Sequence, residues 1–132
     1  MKNDNVPQKV IDLMKADKFV DLCGITLDEI GPGYAKTSVQ IGPQHLNGAG
    51  VIQGGVLFTL ADYALASAAN SREKVSVSIE TTMSFIKGVS SGKITAIAKE
   101  ITCGRTLARY DVSVTTEDGT LIALLHGTVY RK

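Results

Sequence analysis

The chain has 132 residues, enough for one domain with a substantial core and too few for two domains of ordinary size. Hydrophobic residues make up 44% of it and charged residues 20%, a balance typical of globular proteins. Its 14 basic and 13 acidic residues are spread along the chain and give a net charge of +1, so no surface for nucleic acid is expected. We predict a single domain over residues 1–132.

The first part of the chain predicts a helix followed by a hairpin. Residues 7–16 carry apolar side chains at helical spacing, and Pro7 suits the first turn, so we expect a short helix within an N-terminal helical segment, residues 1–18. Residues 19–30 have a β-like pattern. After a Gly-Pro-Gly turn, residues 34–41 alternate polar and apolar side chains. These two stretches predict an antiparallel hairpin.

Residues 45–71 consist of a glycine-rich loop followed by a long helix that ends near residues 70–71. The helix is small or apolar on nearly every face and is interrupted by one acid, Asp62. Such a helix is normally buried, and an aspartate is rarely buried without a partner or a role. A membrane span over residues 51–70 is disfavoured, because an aspartate near its middle would cost roughly 2.5 to 3.5 kcal/mol. We therefore expect no membrane partner and treat Asp62 as a candidate functional residue.

The second half of the chain is rich in β-branched residues and predicts four strands. Turn signals separate the strands at the spacing of an antiparallel meander. The predicted order is therefore α-ββ-α-ββββ, an α+β fold in which a sheet of about six strands wraps around one long helix. The remaining apolar surface of the helix predicts a dimer. The four predicted strands are residues 75–86, 94–103, 107–116 and 121–130.

The cysteines and histidines show no metal-binding or disulfide pattern. Cys23 and Cys103 lack a CxxC or Cys/His spacing, and His45 and His126 have no carboxylate or cysteine at ligand spacing. We expect free thiols, no metal and no cofactor. Residues 1–5 are polar and lead into no apolar stretch, so a signal peptide is not expected and a cytoplasmic location is.

The start of the long helix could stabilise an oxyanion. Gly54 and Gly55 present backbone N–H groups without intrahelical partners at the positive end of the helix dipole. Asp62, the only carboxylate between Glu29 and Glu73, is the natural base or nucleophile. It lies roughly 12 Å further along the helix, whereas a reacting carbonyl must lie about 3 Å from both groups. If the two cooperate, they come from opposite subunits of a dimer.

A known enzyme family is resembled by the pattern of residues 45–55 together with Leu57, Leu60, Ala61, Asp62 and Ala64. The pattern is similar to the signature of the hotdog-fold acyl-CoA thioesterases of the phenylacetate-degradation (PaaI) type, over about residues 17–131. The resemblance implies a hotdog fold, metal-free hydrolysis of acyl-CoA or aryl-CoA thioesters, and homodimers that pair into tetramers.

The resemblance also implies roles for individual residues. Asp62 would activate the hydrolytic water or attack the thioester, and Gly54 would donate its N–H to the thioester oxygen. Asn47 would brace the loop or position the water, which Ser78 would help to hold. Gln53 stands where relatives usually carry a histidine. Glutamine forms hydrogen bonds but does not titrate near neutral pH, so we expect it to orient the substrate.

Coenzyme A needs cations for its phosphates. Arg105, Lys87 and Arg72 are the candidates, with Gly55 at the helix start as a further CoA contact. Only Arg105 occupies a position that the family often keeps basic. The alternative interpretation of each of these three residues is a solvated surface charge without a ligand.

Other interpretations remain open. The same pocket could belong to a sensor or carrier that binds acyl-CoA without hydrolysing it, and Gln53 keeps this alternative open. A hydratase of the same fold is less well supported, since neither a histidine near the helix start nor the hydratase motif is present. Asp62 could be a structural acid, and Asn47 could serve only an Asx turn.

Overall fold

One long helix packs against a seven-stranded sheet in the computed structural model, which describes residues 1–132. The helices are α1 (Gln8–Lys15), α2 (Lys18–Leu22) and α3 (Gly54–Asn70), with a 3₁₀ turn at Pro43–His45. The strands are β1 (Lys2–Asn3), β2 (Thr26–Gly31), β3 (Tyr34–Gln40), β4 (Ser76–Phe85), β5 (Lys93–Cys103), β6 (Leu107–Thr115) and β7 (Leu121–Arg131). No helix is both long and apolar enough to span a lipid bilayer.

The order of strands in the sheet is β1-β2-β3-β5-β6-β7-β4. All neighbours are antiparallel except β1 and β2, and α3 contacts each of the six longer strands. This arrangement confirms the predicted α+β class and the long helix covered by a sheet. The seventh strand is the two-residue β1, which is too short to leave a pattern in the sequence.

The prediction of a strand over residues 19–30 is wrong in its first half. Lys18–Leu22 forms α2, and β2 begins only at Thr26. The Asp17 side chain accepts a hydrogen bond of 3.0 Å from the Val20 N–H and so caps α2 at its start. Val20 is buried, whereas Phe19 and Leu22 are exposed, so this short helix buries too few apolar side chains to show a helical period in the sequence.

The predicted meander is correct for β5, β6 and β7 but not for β4. This strand pairs with β7 at the edge of the sheet, so residues 86–92 form a crossover rather than a hairpin turn. The crossover is held by the Ile86 N–H, which donates to the Ile122 carbonyl at 2.8 Å, and by the Ile52 N–H, which donates to the Val89 carbonyl at 2.8 Å. It therefore lies against the loop that precedes α3.

Close packing fixes α3 on the sheet. Leu60 and Leu65 are fully buried, and the Thr37 hydroxyl donates a hydrogen bond of 3.0 Å to the Leu60 carbonyl. The Leu65 side chain occupies the space that a Cβ at Gly127 would need. At the far end of the helix, Asn70 exchanges two hydrogen bonds with the backbone of Ser76, at 3.1 and 3.3 Å. These contacts set the position of α3 relative to β4.

Strand β4 leaves one edge of the sheet open. Val77, Ile79 and Phe85 on this strand are 45%, 57% and 58% exposed. An open edge with apolar side chains is a surface on which another chain can continue the sheet.

Candidate active site

The first turn of α3 has one free backbone donor. The Gln53 side chain accepts a hydrogen bond of 2.5 Å from the Gly55 N–H and so caps the helix. The Gln53 carbonyl accepts from the N–H groups of Val56 and Leu57 at 3.0 and 3.4 Å. The Gly54 N–H alone has no acceptor within the chain. A free donor at the positive end of a helix is suited to bind a developing negative charge.

The Gly54 donor borders a cavity of about 270 Å³, which Asn47, Phe85 and Lys87 also line. A Cβ at residue 54 would lie 3.3 Å from the Phe85 ring, so the absence of a side chain keeps this approach to the backbone open. The crossover that follows β4 brings Lys87 here. The structure therefore places three of the predicted site residues, Asn47, Gly54 and Lys87, around one cavity.

Asn47 braces the loop before α3. Its side-chain oxygen accepts hydrogen bonds of 2.9 Å from the Ala49 N–H and 3.2 Å from the Val51 N–H. The Asn47 N–H also donates to the Val51 carbonyl at 2.8 Å. These contacts form the Asx turn that the sequence allowed, and they account for one of the two predicted roles of this residue.

His45 holds the same loop, a structural role that the sequence analysis did not assign. The buried ring accepts a hydrogen bond from the Gly42 N–H at Nδ1, at 2.9 Å, and pairs through Nε2 with the Cys23 carbonyl at 2.7 Å. The His45 carbonyl in turn accepts from the Gln53 N–H at 2.8 Å. This chain of contacts sets the entry of the backbone into α3.

Asp62 lies in a second cavity, of about 370 Å³. The side chain is partly buried, and this burial raises its pKa above the usual aspartate range. The nearby Ser78 hydroxyl of β4 favours the charged form and so opposes that shift in pKa, whereas the negative charge of Asp17 adds to it. A carboxylate with a raised pKa beside an open cavity is suited to act as a base. The structure thus brings Ser78 and Asp62 together.

No residue lines both cavities. Gly54 and Asp62 belong to the same continuous helix, roughly 12 Å apart along its axis at 1.5 Å per residue. One chain therefore cannot bring both groups to the same carbonyl carbon.

The other CoA candidates lie elsewhere in the chain. Arg72 forms a two-pronged ion pair with Glu100, at 3.0 and 3.1 Å, beyond the C-terminal end of α3. Arg105 lies in the β5–β6 turn near the same end, where its carbonyl accepts a hydrogen bond of 2.9 Å from Lys74. The Gly55 N–H is occupied by Gln53. Of the three cations, Lys87 alone lines the cavity of the Gly54 donor within one chain.

Asp17 is the site residue that the sequence analysis missed. It lines the Asp62 cavity and raises the pKa of that carboxyl. Its position as the cap of α2 was the available signal, but the β-like pattern of the residues after it concealed the helix. No group of three or more His, Cys, Asp or Glu side chains is placed to hold a metal ion.

Comparison with known proteins identifies a family. Residues 49–123 match the family described as the thioesterase superfamily. A candidate esterase of Archaeoglobus fulgidus is 39% identical, over 98% of this chain and 86% of the relative. The acyl-coenzyme A thioesterase PaaI of Escherichia coli is 31% identical, over 87% of this chain and 83% of that protein.

Solved structures show the same fold. The PaaI protein from the phenylacetic acid degradation operon of E. coli superimposes with a TM-score of 0.90 at 28% identity, covering 95% of this chain and 91% of that one. A variant of the phenylacetic acid degradation protein PaaI from Thermus thermophilus gives a TM-score of 0.84 at 33% identity, covering 88% of this chain and 100% of the other. The predicted hotdog fold is confirmed.

Proposed function

Because this chain belongs to the thioesterase superfamily and is a thioester hydrolase of the PaaI-like group, we propose that it hydrolyses acyl-CoA or aryl-CoA to the free acid and CoA. We further propose that each site combines Asp62 of one subunit with Gly54 of the other. The observation that carries this proposal is the separation on α3 of one free backbone donor and one carboxylate with a raised pKa.

In the proposed reaction, Asp62 acts as a general base towards a water held by Ser78. The water gives its proton to the carboxylate, and its oxygen bonds to the carbonyl carbon of the thioester. The carbonyl electron pair moves onto oxygen, and the partner subunit's Gly54 N–H stabilises that negative charge. When the carbonyl re-forms, the carbon–sulfur bond breaks and the sulfur takes the proton from Asp62. The products are the free acid and the CoA thiol.

The open edge of β4 supports a dimer in which this composite site forms. Pairing of two copies along β4 would bury Val77 and Ile79 and would satisfy the free edge of the sheet. Ser78, which lies beside Asp62, is on the same strand. A partner at this edge therefore lies next to the Asp62 cavity. Pairs of dimers, as expected for this family, form part of the same proposal.

Lys87 is the proposed first contact for the phosphates of CoA, since it lines the cavity of the oxyanion donor. Arg105 is proposed to reach CoA from the other subunit. We assign no phosphate to Arg72, because Glu100 already neutralises it. We propose a cytoplasmic location for the enzyme, and its two cysteines are free, as expected in a reducing compartment.

Gln53 favours one alternative, an acyl-CoA sensor or carrier. Its side chain caps the helix and offers no group that titrates near neutral pH. A thioesterase turns its substrate over, whereas a sensor or carrier only binds it. The two are distinguished by measuring free thiol release from a panel of acyl-CoA esters and the binding of the same esters by calorimetry. Binding without thiol release would favour the sensor.

The replacement Asp62→Asn tests the proposed function. It keeps the shape of the side chain and removes the base, so we expect kcat to fall by about 10²- to 10⁴-fold with little change in the Kd of an acyl-CoA ester. Asp12→Asn, which changes an exposed acid on α1, is the matched control and should retain full activity. Undiminished hydrolysis by the Asp62 variant would end the proposal.

A further inference from the structure

The walls of the Asp62 cavity are aromatic and aliphatic. Phe19, from α2, and Phe58 and Tyr63, from α3, line a space of about 370 Å³. The Phe19 side chain is 61% exposed and Phe58 is 37% exposed, so apolar surface faces the opening. Such a surface favours an apolar guest, because burying it removes hydrocarbon from water.

The charges in this cavity all have one sign. Within one chain, Asp17 and Asp62 are the only charged residues that line it, and no lysine, arginine or histidine of that chain does so. The Asp17 carboxylate is held in place, because Oδ1 accepts the N–H of Val20 at 3.0 Å. Burial is the main cause of the raised pKa of Asp62, and the negative charge of Asp17 adds to it, so the charge of Asp17 acts within this cavity.

Resting on the proposed function, we propose that this cavity receives the acyl group and that Asp17 makes it reject acyl groups that end in a carboxylate. In the composite site, the Gly54 cavity of the other subunit contains Lys87 and suits the anionic CoA end of the substrate, so the acyl group lies on the side of the Asp62 cavity. A terminal carboxylate there loses its hydration and meets two like charges, and no cation of the same chain lines the cavity to offset them. The repulsion selects neutral aliphatic or aryl thioesters.

Paired substrates of equal chain length test this assignment. Hexanoyl-CoA and adipoyl-CoA form one pair, and pentanoyl-CoA and glutaryl-CoA form a shorter one. The wild-type enzyme should show a higher kcat/KM for the neutral member of each pair. Asp17→Asn removes the charge and keeps a side chain that caps helices equally well, so α2 should remain folded. We expect it to reduce the discrimination by about tenfold, a change equivalent to about 1.4 kcal/mol.

The control is Asp21→Asn, which makes the same charge change on α2 but lines a different cavity. It should alter the ratio less than about twofold, as expected for a charge that acts only from the exposed surface. A change in the pKa of Asp62 affects both members of a pair equally and cancels in the ratio. Asp17→Ser, another capping residue, replaces the asparagine variant if that variant has a lowered Tm.

Two failures are distinguishable. If wild type hydrolyses neutral and carboxylate esters equally, or if Asp17→Asn leaves the ratio unchanged, the assignment of Asp17 is refuted and the proposed function stands. If no ester releases thiol, the proposed function fails, and the ratio is then taken from the Kd values of the same four esters by calorimetry. An unchanged ratio in binding refutes the assignment in that case too.

Discussion

Mixing two inactive variants tests whether each active site is shared between subunits. Asp62→Asn removes the proposed base. Gly54→Pro removes the one free N–H of the first helical turn, at a position where proline fits the backbone. Loss of a single oxyanion donor typically lowers kcat by about 10²- to 10³-fold, so either variant alone should be nearly inactive.

The expected recovery follows from the geometry. In a mixed dimer, one composite site carries both defects, and the other combines an intact Asp62 with an intact Gly54. If subunits associate at random from equal amounts, about half of the dimers are mixed and each has one working site of two. The mixture should therefore regain about one quarter of the wild-type activity.

The assay is thiol release from an acyl-CoA ester after the two variants are co-expressed with different affinity tags. Enzyme purified through both tags should show about half of the wild-type activity if it is a dimer, and roughly two sevenths if randomly assembled dimers pair into tetramers. Gly54→Ala is the matched control, because it adds a methyl group near Phe85 but keeps the N–H. If that variant is as inactive as Gly54→Pro, crowding rather than the lost donor explains the effect. No recovery in the doubly tagged dimers would refute the shared site, since a site within one chain leaves both members of every mixed dimer defective.

Two further outcomes are expected. In the proposed mechanism Asp62 must be ionised, and its pKa is raised by burial and by Asp17, so kcat/KM should fall with decreasing pH at a midpoint above the usual aspartate range. Ser78→Ala removes the hydroxyl that lowers this pKa and should move the midpoint to higher pH. A shift to lower pH would contradict the role given to Ser78. Lys87→Gln should raise the KM of acyl-CoA by about fivefold to tenfold, because it removes the proposed phosphate contact. The KM of the matching N-acetylcysteamine thioester, which lacks phosphates, should not change. An equal rise for both substrates would place Lys87 at the acyl group instead.

Local patterns account for most of the elements. Helices α1 and α3 and strands β3 to β7 lie within one residue of the predicted bounds where these were given, because apolar periodicity and turn residues act over a few neighbouring positions. Residues 19–30 were the exception. A five-residue helix is stabilised by the cap at Asp17 and by the burial of Val20, and neither contact leaves a periodicity long enough to distinguish it from a strand.

The partner of β4 could not be predicted from the sequence. Turn residues at 88–92 indicate that the chain changes direction there, but a hairpin and a crossover use the same residue types. The choice of β7 rather than β5 depends on contacts between distant segments, such as those that hold the crossover against the Ile52 loop. That choice decides where Lys87 lies and which strand is left open for a partner.

The sequence by itself determined the position of Gly54 and Asp62 on one helix and, through the fixed rise of that helix, their separation. Only the tertiary structure decided which N–H group of the first turn stays free, since this depends on the acceptors that Gln53 supplies. It also decided the surroundings of Asp62, because Ser78 and Asp17 reach that carboxyl from distant parts of the chain. Spacing along a helix is a local property, whereas burial and charge around a side chain are set by residues that folding brings together.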